Sequence, residues 1–248
     1  MSERGRPKTT GFLSVALPVS RMKAGDGTAA AKRRAAEAAA ETIEDGMVVG
    51  LGTGSTAAYA IEALGRAVAD GLDVSGVATS GESARLAREH GLSLTTLSAV
   101  ERVDVAIDGA DQVANGDLIK GGGAAHTREK LIDSAADRFL VVVDDSKVAA
   151  TLSWPVPVAV LQDAEGVVSE RVRELGGEPS LRAAERKDGP VVTDDGHLVL
   201  DCDFGEIDDP AALAAELSAI PGVVEHGLFV GLADAIYVGS ETGVDVLE

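Results

Sequence analysis

Four short apolar runs, at 47–51, 74–78, 103–107 and 139–143, alternate with helix-like stretches at 56–69, 81–90 and 125–136, and this narrows the possible folds more than any other feature. The runs are continuously apolar rather than alternating, as in strands buried on both faces. Strands of that kind separated by helices predict a parallel sheet with helices on both sides. Ligands of such sheets bind beyond the carboxyl ends of the strands. Gly52 to Thr56, Asp108 to Asp111 and Lys147 all stand there, and the glycine-rich stretch after Lys120 enters the same rim.

The flanking regions read differently. Residues 1–21 hold Arg4, Arg6, Lys8 and Arg21 around a short apolar patch too brief for a secretory core. They are expected to be a disordered extension, or upstream sequence ahead of a start at Met22. Thr28 is placed to cap an alanine-rich helix over 29–44, with Gly46 just past its end. After Trp154-Pro155-Val156-Pro157 the spacing predicts strand 156–161, helix 164–175, strand 178–182, strand 191–194, turn Asp195-Gly196, strand 198–202, helix 210–218 and strand 223–225. The two strands around Asp195-Gly196 read as a hairpin, and the whole unit as a split β-α-β of the ferredoxin kind. Residues 235–238 then read as a last strand of the first sheet. The expected architecture is an α/β protein with a parallel, doubly wound (Rossmann-like) sheet. A smaller ferredoxin-like α+β domain over 153–228 would be inserted between 22–152 and 229–248.

Composition removes several functional classes. The net charge of −19 argues against a nucleic-acid binder, which needs a basic footprint. No apolar run reaches the ~18 residues of a membrane helix. The single cysteine, Cys202, cannot form an internal disulfide, which fits a reducing, cytoplasmic setting. His90, His126, His197 and His226 have no metal-ligand spacing, so no metal is expected. Of seven lysines, Lys120, Lys130 and Lys147 flank the glycine-rich stretch. An acidic, lysine-poor and aromatic-poor chain suits a salt-rich cytosol, where screening removes self-repulsion. An ordinary acidic cytosolic protein remains the alternative.

Lys120-Gly121-Gly122-Gly123-Ala124-Ala125-His126-Thr127-Arg128-Glu129-Lys130 carries the strongest functional signal. Three consecutive glycines cost backbone entropy and bury no side chain, a cost tolerated where main-chain N–H groups approach an anion. Thr127 as N-cap would put Glu129 in the first turn, where the helix dipole favours its ionised form. Gly52-Thr53-Gly54-Ser55-Thr56 follows a strand and opens a helix. Ser55 stands where a dinucleotide fingerprint has its third glycine, and Thr79 and Ser80 end the second strand where that fingerprint wants an acid. Hydroxyls and free N–H groups at a helix start suit a phosphate, with a nucleotide site or a plain tight turn as the other readings. Asp108-Gly109-Ala110-Asp111 lacks the alternating acids of a calcium loop and reads as a turn or as acid–base machinery. Lys147 either balances Asp144 and Asp145 or reaches the same rim, and His126 reads as packing.

Together these segments resemble the ribose-5-phosphate isomerase family, type A, over 25–248. The matching pieces are Gly-Thr-Gly-Ser-Thr (52–56), Asp-Gly-Ala-Asp (108–111), Lys-Gly-Gly-Gly-Ala-Ala (120–125), Thr-Arg-Glu-Lys (127–130) and Ile-Pro-Gly-Val-Val (220–224). The resemblance implies interconversion of D-ribose 5-phosphate and D-ribulose 5-phosphate in the pentose phosphate pathway, without metal or organic cofactor. It implies Glu129 as proton acceptor, with Asp108, Asp111 and Lys120 as further catalytic groups. Substrate binding would fall to Thr53, Gly54, Ser55, Thr56, Asp108, Gly109, Ala110, Asp111, Lys120, Gly121, Gly122, Gly123 and Lys147. The partner is a small sugar phosphate, not nucleic acid or membrane, and the assembly a homodimer or homotetramer. Gln112 and His126 depart from the family's usual glutamate and leucine. Other readings are a hexosamine-phosphate deaminase, a CoA transferase, or a sugar-phosphate-sensing regulator, which would need a DNA-binding domain that the acidic chain does not suggest.

Overall fold

The structure, a computed structural model, describes residues 28–248, so the expected extension over 1–21 lies outside the described residues. Thr28 caps α1 (Ala29–Ala40), its side chain accepting from Ala31 N at 3.1 Å. The helix ends four residues earlier than its alanine content suggests. Thr42 turns its hydroxyl back to Ala39 O (2.7 Å), and Ile43 drops into the core. There follow β1 (Val48–Leu51), α2 (Ser55–Ala69), β2 (Ser75–Ala78), α3 (Gly81–Glu89), β3 (Ser93–Thr95) and β4 (Val103–Asp108). A hairpin, β5 (Gln112–Ala114) and β6 (Asp117–Ile119), leads through the glycine-rich loop to α4 (His126–Ala135) and β7 (Ala136–Asp144). Next come β8 (Val156–Val160), α5 (Glu165–Glu174), β9 (Glu178–Leu181), β10 (Leu198–Asp203), α6 (Pro210–Ser218) and β11 (Val223–His226). The chain closes with β12 (Leu228–Phe229), β13 (Ala235–Gly239) and β14 (Val244–Leu247).

Among the described residues these strands form three sheets. The largest runs β14-β13-β7-β4-β1-β2-β3, parallel throughout except for β14. Its strands are apolar on both faces because both faces are covered. In β7, Leu140 and Val142 join α1 and α2 residues such as Ala36 and Leu64. Phe139, Val141 and Val143 join Ile132 of α4 and Leu118 of the hairpin. The strand period of two explains that division. Replacing Leu140, fully buried, by Ala should cost about 2–5 kcal/mol. The chain runs outward from β1 to β2 and β3, then returns to place β4 on the other side of β1. This reversal opens a crevice between the carboxyl ends of β1 and β4, the place where such sheets hold ligands.

The second sheet, β11-β8-β10-β9, is antiparallel, with α5 and α6 over a core of Val158, Val160, Leu200 and Cys202. Its β-α-β-β-α-β order is the expected ferredoxin-like one. Cys202 is a packed core residue whose thiol burial pushes up to about 12. The expected hairpin of 191–194 with 198–202 does not form as a ladder. The turn itself is there, with Thr193 N donating to His197 O at 2.8 Å. However, β9 occupies that edge of β10 from Leu200 onward, leaving Val192 only an isolated bridge to Leu198. The third sheet, β12-β6-β5, was not expected at all, nor were the edge strands β3 and β14. The β5–β6 turn is Asn115-Gly116, with φ of 52° and 88°. That pair is the strongest short hairpin signal a sequence offers.

Candidate active site

The end of β1 is built for close approach. A Cβ on Gly52 would lie 2.2 Å from Asp108 Oδ1, so only glycine lets the two strand ends meet. Asp108 Oδ1 accepts from Thr53 N (3.0 Å) and Gly109 N (2.7 Å), which ties the β1 and β4 loops into one unit. Thr53 Oγ1 reaches Thr79 Oγ1 and Ser80 Oγ, both at 2.7 Å. The hydroxyls at the end of β2 thus orient Thr53. Gly54 then opens α2 at φ 115° with no side-chain cap, leaving the first helical N–H groups for a ligand. Lys32 of α1 stands beside them, its Nζ 3.3 Å from Ser55 Oγ.

Beneath this cradle lies a buried charge cluster. Lys120 is 2% exposed, with its Nζ 2.9 Å from Asp108 Oδ2, 3.3 Å from Glu129 Oε2 and 2.5 Å from Gly109 O. The Gly109 carbonyl accepts a hydrogen bond from the ammonium, and both carboxyl groups lie within ion-pair distance of it. Burial disfavours the ammonium, but Asp108, then Glu129 and Asp133, outweigh it and hold its pKa above the ordinary value. Burial pushes the Glu129 carboxyl up to about 8, with Lys120 opposing and Asp108 adding to the rise. Asp108 is raised by burial against the pull of Lys120. Asp133, one turn beyond Glu129, is raised further by burial and then by Asp108. The expectation that the helix start keeps Glu129 ionised is therefore corrected: desolvation is the larger effect.

The start of α4 also differs from expectation. Ala125, not Thr127, is the N-cap, and no side chain caps the helix. Glu129 remains in the first turn and is buried at 3% exposure. Lys130 donates to Glu225 Oε1 (2.5 Å) and His226 O (2.6 Å), pinning α4 to β11. His126 is buried behind Gly121 and kept neutral: its pKa falls to about 3 through burial, then the nearby Lys130 and Arg182. Gln112 is structural, its Oε1 accepting from Ser153 N (2.7 Å) and Trp154 N (2.9 Å).

The residues singled out in the sequence converge on one cavity. Thr53 to Thr56, Gly109 to Asp111, Lys120 to Gly123, Glu129 and Lys147 all border it. Asp108 does not; it is fully buried behind Lys120. Asp111 is on the cavity wall, its Oδ2 accepting from Gly122 N at 2.7 Å. Lys147 stands over the Trp154 ring, 5.3 Å from its centre. Lys32 is the cavity residue that sequence reasoning missed. It is one lysine in an alanine-rich helix, and only the packing of α1 against α2 brings it to Ser55. No helix among the described residues is long and apolar enough to cross a membrane.

An anion cradle at a helix start, opening onto a buried carboxyl–ammonium cluster at the sheet's reversal point, defines an α/β protein equipped for proton transfer on a phosphorylated small molecule. Comparison with known proteins makes the assignment specific. The family model of ribose 5-phosphate isomerase A (phosphoriboisomerase A) matches residues 75–243. Proteins named ribose-5-phosphate isomerase A are similar throughout. That of Natronomonas pharaonis is 68% identical, covering 91% of this chain and 100% of its own length. That of Haloarcula marismortui is 66% identical, covering 91% and 98%. A solved D-ribose-5-phosphate isomerase in complex with phospho-erythronic acid superposes with a TM-score of 0.85 at 44% identity, covering 88% of this chain and 97% of its own. The chain belongs to the ribose 5-phosphate isomerase A family.

Proposed function

We propose that this chain interconverts D-ribose 5-phosphate and D-ribulose 5-phosphate, with Glu129 as the base. The observation that carries this reading is the Glu129 carboxyl on the cavity wall, 3.3 Å from the buried Lys120 ammonium. Glu129 removes the C2 proton of the open-chain aldose. The C–H electron pair forms the C1=C2 double bond, and the aldehyde π pair moves onto O1, giving an enediolate. The O2 proton passes to O1, the C2 carbonyl forms, and Glu129 returns its proton to C1. No atom is gained or lost, and no oxidant or cofactor enters the sequence.

Lys120 supports the enediolate oxygens with a charge already in place, the arrangement that contributes most to this type of chemistry. Asp108 holds that ammonium from behind, and Asp111, on the cavity wall, takes the substrate hydroxyls and ring opening. The phosphate sits at the start of α2 with Ser55, Thr56 and Lys32, and Lys147 closes the other side. The phospho-erythronic acid bound by the solved relative is itself a phosphorylated sugar acid, which supports this orientation toward sugar phosphates. The resemblance also supports a cytoplasmic homodimer or homotetramer, to be measured by light scattering. The direct test is a ketose-forming assay with ribose 5-phosphate in molar KCl. Turnover by the chain and its loss in Glu129→Gln are expected; no turnover across salt and pH would refute the function.

A further inference from the structure

The second sheet sends one side chain into the catalytic loop. Arg182 follows β9, and its backbone N–H donates to Val199 O at 2.9 Å. Asp201 lies two residues along the partner strand, so both side chains share one face. The Arg182 guanidinium is forked onto Asp201, with Nε donating to Oδ2 at 2.9 Å and Nη2 to Oδ1. Its remaining arm, Nη1, donates to two consecutive carbonyls of the glycine-rich loop, Gly121 O at 2.9 Å and Gly122 O at 3.1 Å. The side chain is only 16% exposed.

In a trans peptide the C=O and the following N–H point in opposite directions. Holding Gly121 O therefore sends Gly122 N–H the other way, where Asp111 Oδ2 accepts it at 2.7 Å. Holding Gly122 O turns Gly123 N–H away from Arg182 in the same manner. Gly123 borders the cavity, and its N–H meets no acceptor among the described residues. Ala124 N donates to Gly121 O at 2.9 Å and closes the turn locally, but among the described residues no backbone donor holds Gly122 O, so that peptide plane depends on Arg182. Gly121 sits at φ 104° and Ala124 at φ 58°, and three glycines in succession have the widest conformational choice of any sequence. Lys120, whose ammonium anchors the buried cluster, is the residue immediately before them.

We propose that Arg182, oriented by Asp201, is a positioning residue that fixes two peptide planes of the 121–123 loop, so that Asp111 is held and the Gly123 N–H is presented to a substrate oxygen. The inference rests on the isomerase reading, and wild-type turnover tests that reading separately. A preorganised donor acts on developing charge, so its loss falls on kcat more than on KM. Displacements near 1 Å in such sites cost up to about 10²-fold.

The test uses the full chain in molar KCl. Arg182→Met, similar in bulk but without donors, should lower kcat about 10–100-fold, change KM less than about threefold, and leave most of the thermal stability. Asp201→Asn should show the same split more weakly. Added guanidinium at tens of millimolar should restore part of the kcat of Arg182→Ala and leave the wild type unchanged. Independently of activity, amide hydrogen exchange over 120–125 should accelerate in Arg182→Met. A kcat within about twofold of wild type, or unchanged exchange in the loop, overturns the proposal. So does a loss of activity that tracks the unfolded fraction and does not respond to guanidinium.

Discussion

Replacing Glu129 by Gln separates the cost of burying this carboxyl from its use. In the folded chain the group holds its proton up to about pH 8, against 4.5 for the free side chain, chiefly because burial penalises the charged form. A raised pKa means that the folded state binds the proton more tightly. Its contribution to stability is complete below pH 4.5 and is lost as the pH rises toward 8. Gln cannot ionise, so the variant lacks this loss. At about 1.36 kcal/mol per pH unit, the ceiling on the difference is about 5 kcal/mol above pH 8, and less where Asp108 or Asp133 takes up the proton instead. Urea unfolding of both proteins from pH 5 to 9 measures it directly. The variant should be nearly as stable as wild type at pH 5 and should gain steadily on it above that. Over the same range its kcat should be lower by about 10²–10⁴-fold, the usual worth of a positioned base, and exchange of the substrate C2 proton with D₂O should fall with it. A stability difference flat within about 0.5 kcal/mol across that range would refute the burial reasoning. More than about a tenth of wild-type kcat would remove Glu129 as the base and leave Asp111 as the acid on the cavity wall.

The same raised carboxyl should place the acidic limb of wild-type kcat/KM well above pH 4.5 and toward 8; a limb near 4.5, read from initial rates, contradicts it. Lys120→Met should both raise KM and lower kcat, because the ammonium meets ground-state oxygens as well as the enediolate; steady-state kinetics would show either change alone if this is wrong. Gly52→Ala puts a methyl group 2.2 Å from Asp108 Oδ1 and 2.5 Å from its Cα, and should cost about 1–3 kcal/mol or more in urea unfolding along with most activity. The melting temperature should rise from 0.1 M to molar KCl as salt screens the net charge of −19; a flat profile by scanning calorimetry removes the salt-adapted reading. Prolonged EDTA treatment should leave turnover unchanged, and a loss restored by one divalent metal would contradict the enediolate scheme.

Local chemistry was legible wherever one short stretch decides it. The apolar runs of β1, β4 and β7 announce strands covered on both faces, and Thr28 marks its helix start by a side chain that accepts from the third residue on. The Asn115-Gly116 hairpin was equally legible and went unread, while β3 and β14, short edge strands with exposed residues, carry little hydrophobic pattern to read. The pairing of 198–203 was not local: 178–181 and 191–194 both compete for one edge of β10, and only assembly of the sheet decides between them.

The sequence by itself determined the parts of the site: a helix opening at Gly54, an acid turn at 108–111, a lysine ahead of three glycines, and a carboxyl one turn into α4. Each is a property of a few adjacent residues and their backbone preferences. Tertiary structure decided the relations between them. It brought Lys32 to Ser55, set Asp108 behind Lys120 rather than on the cavity wall, and carried Arg182 from another sheet to the Gly121 and Gly122 carbonyls. It also reversed the electrostatic reading of Glu129. A helix terminus is a local feature that a sequence displays, whereas desolvation depends on what the rest of the chain packs around the carboxyl, and here the second effect is the larger.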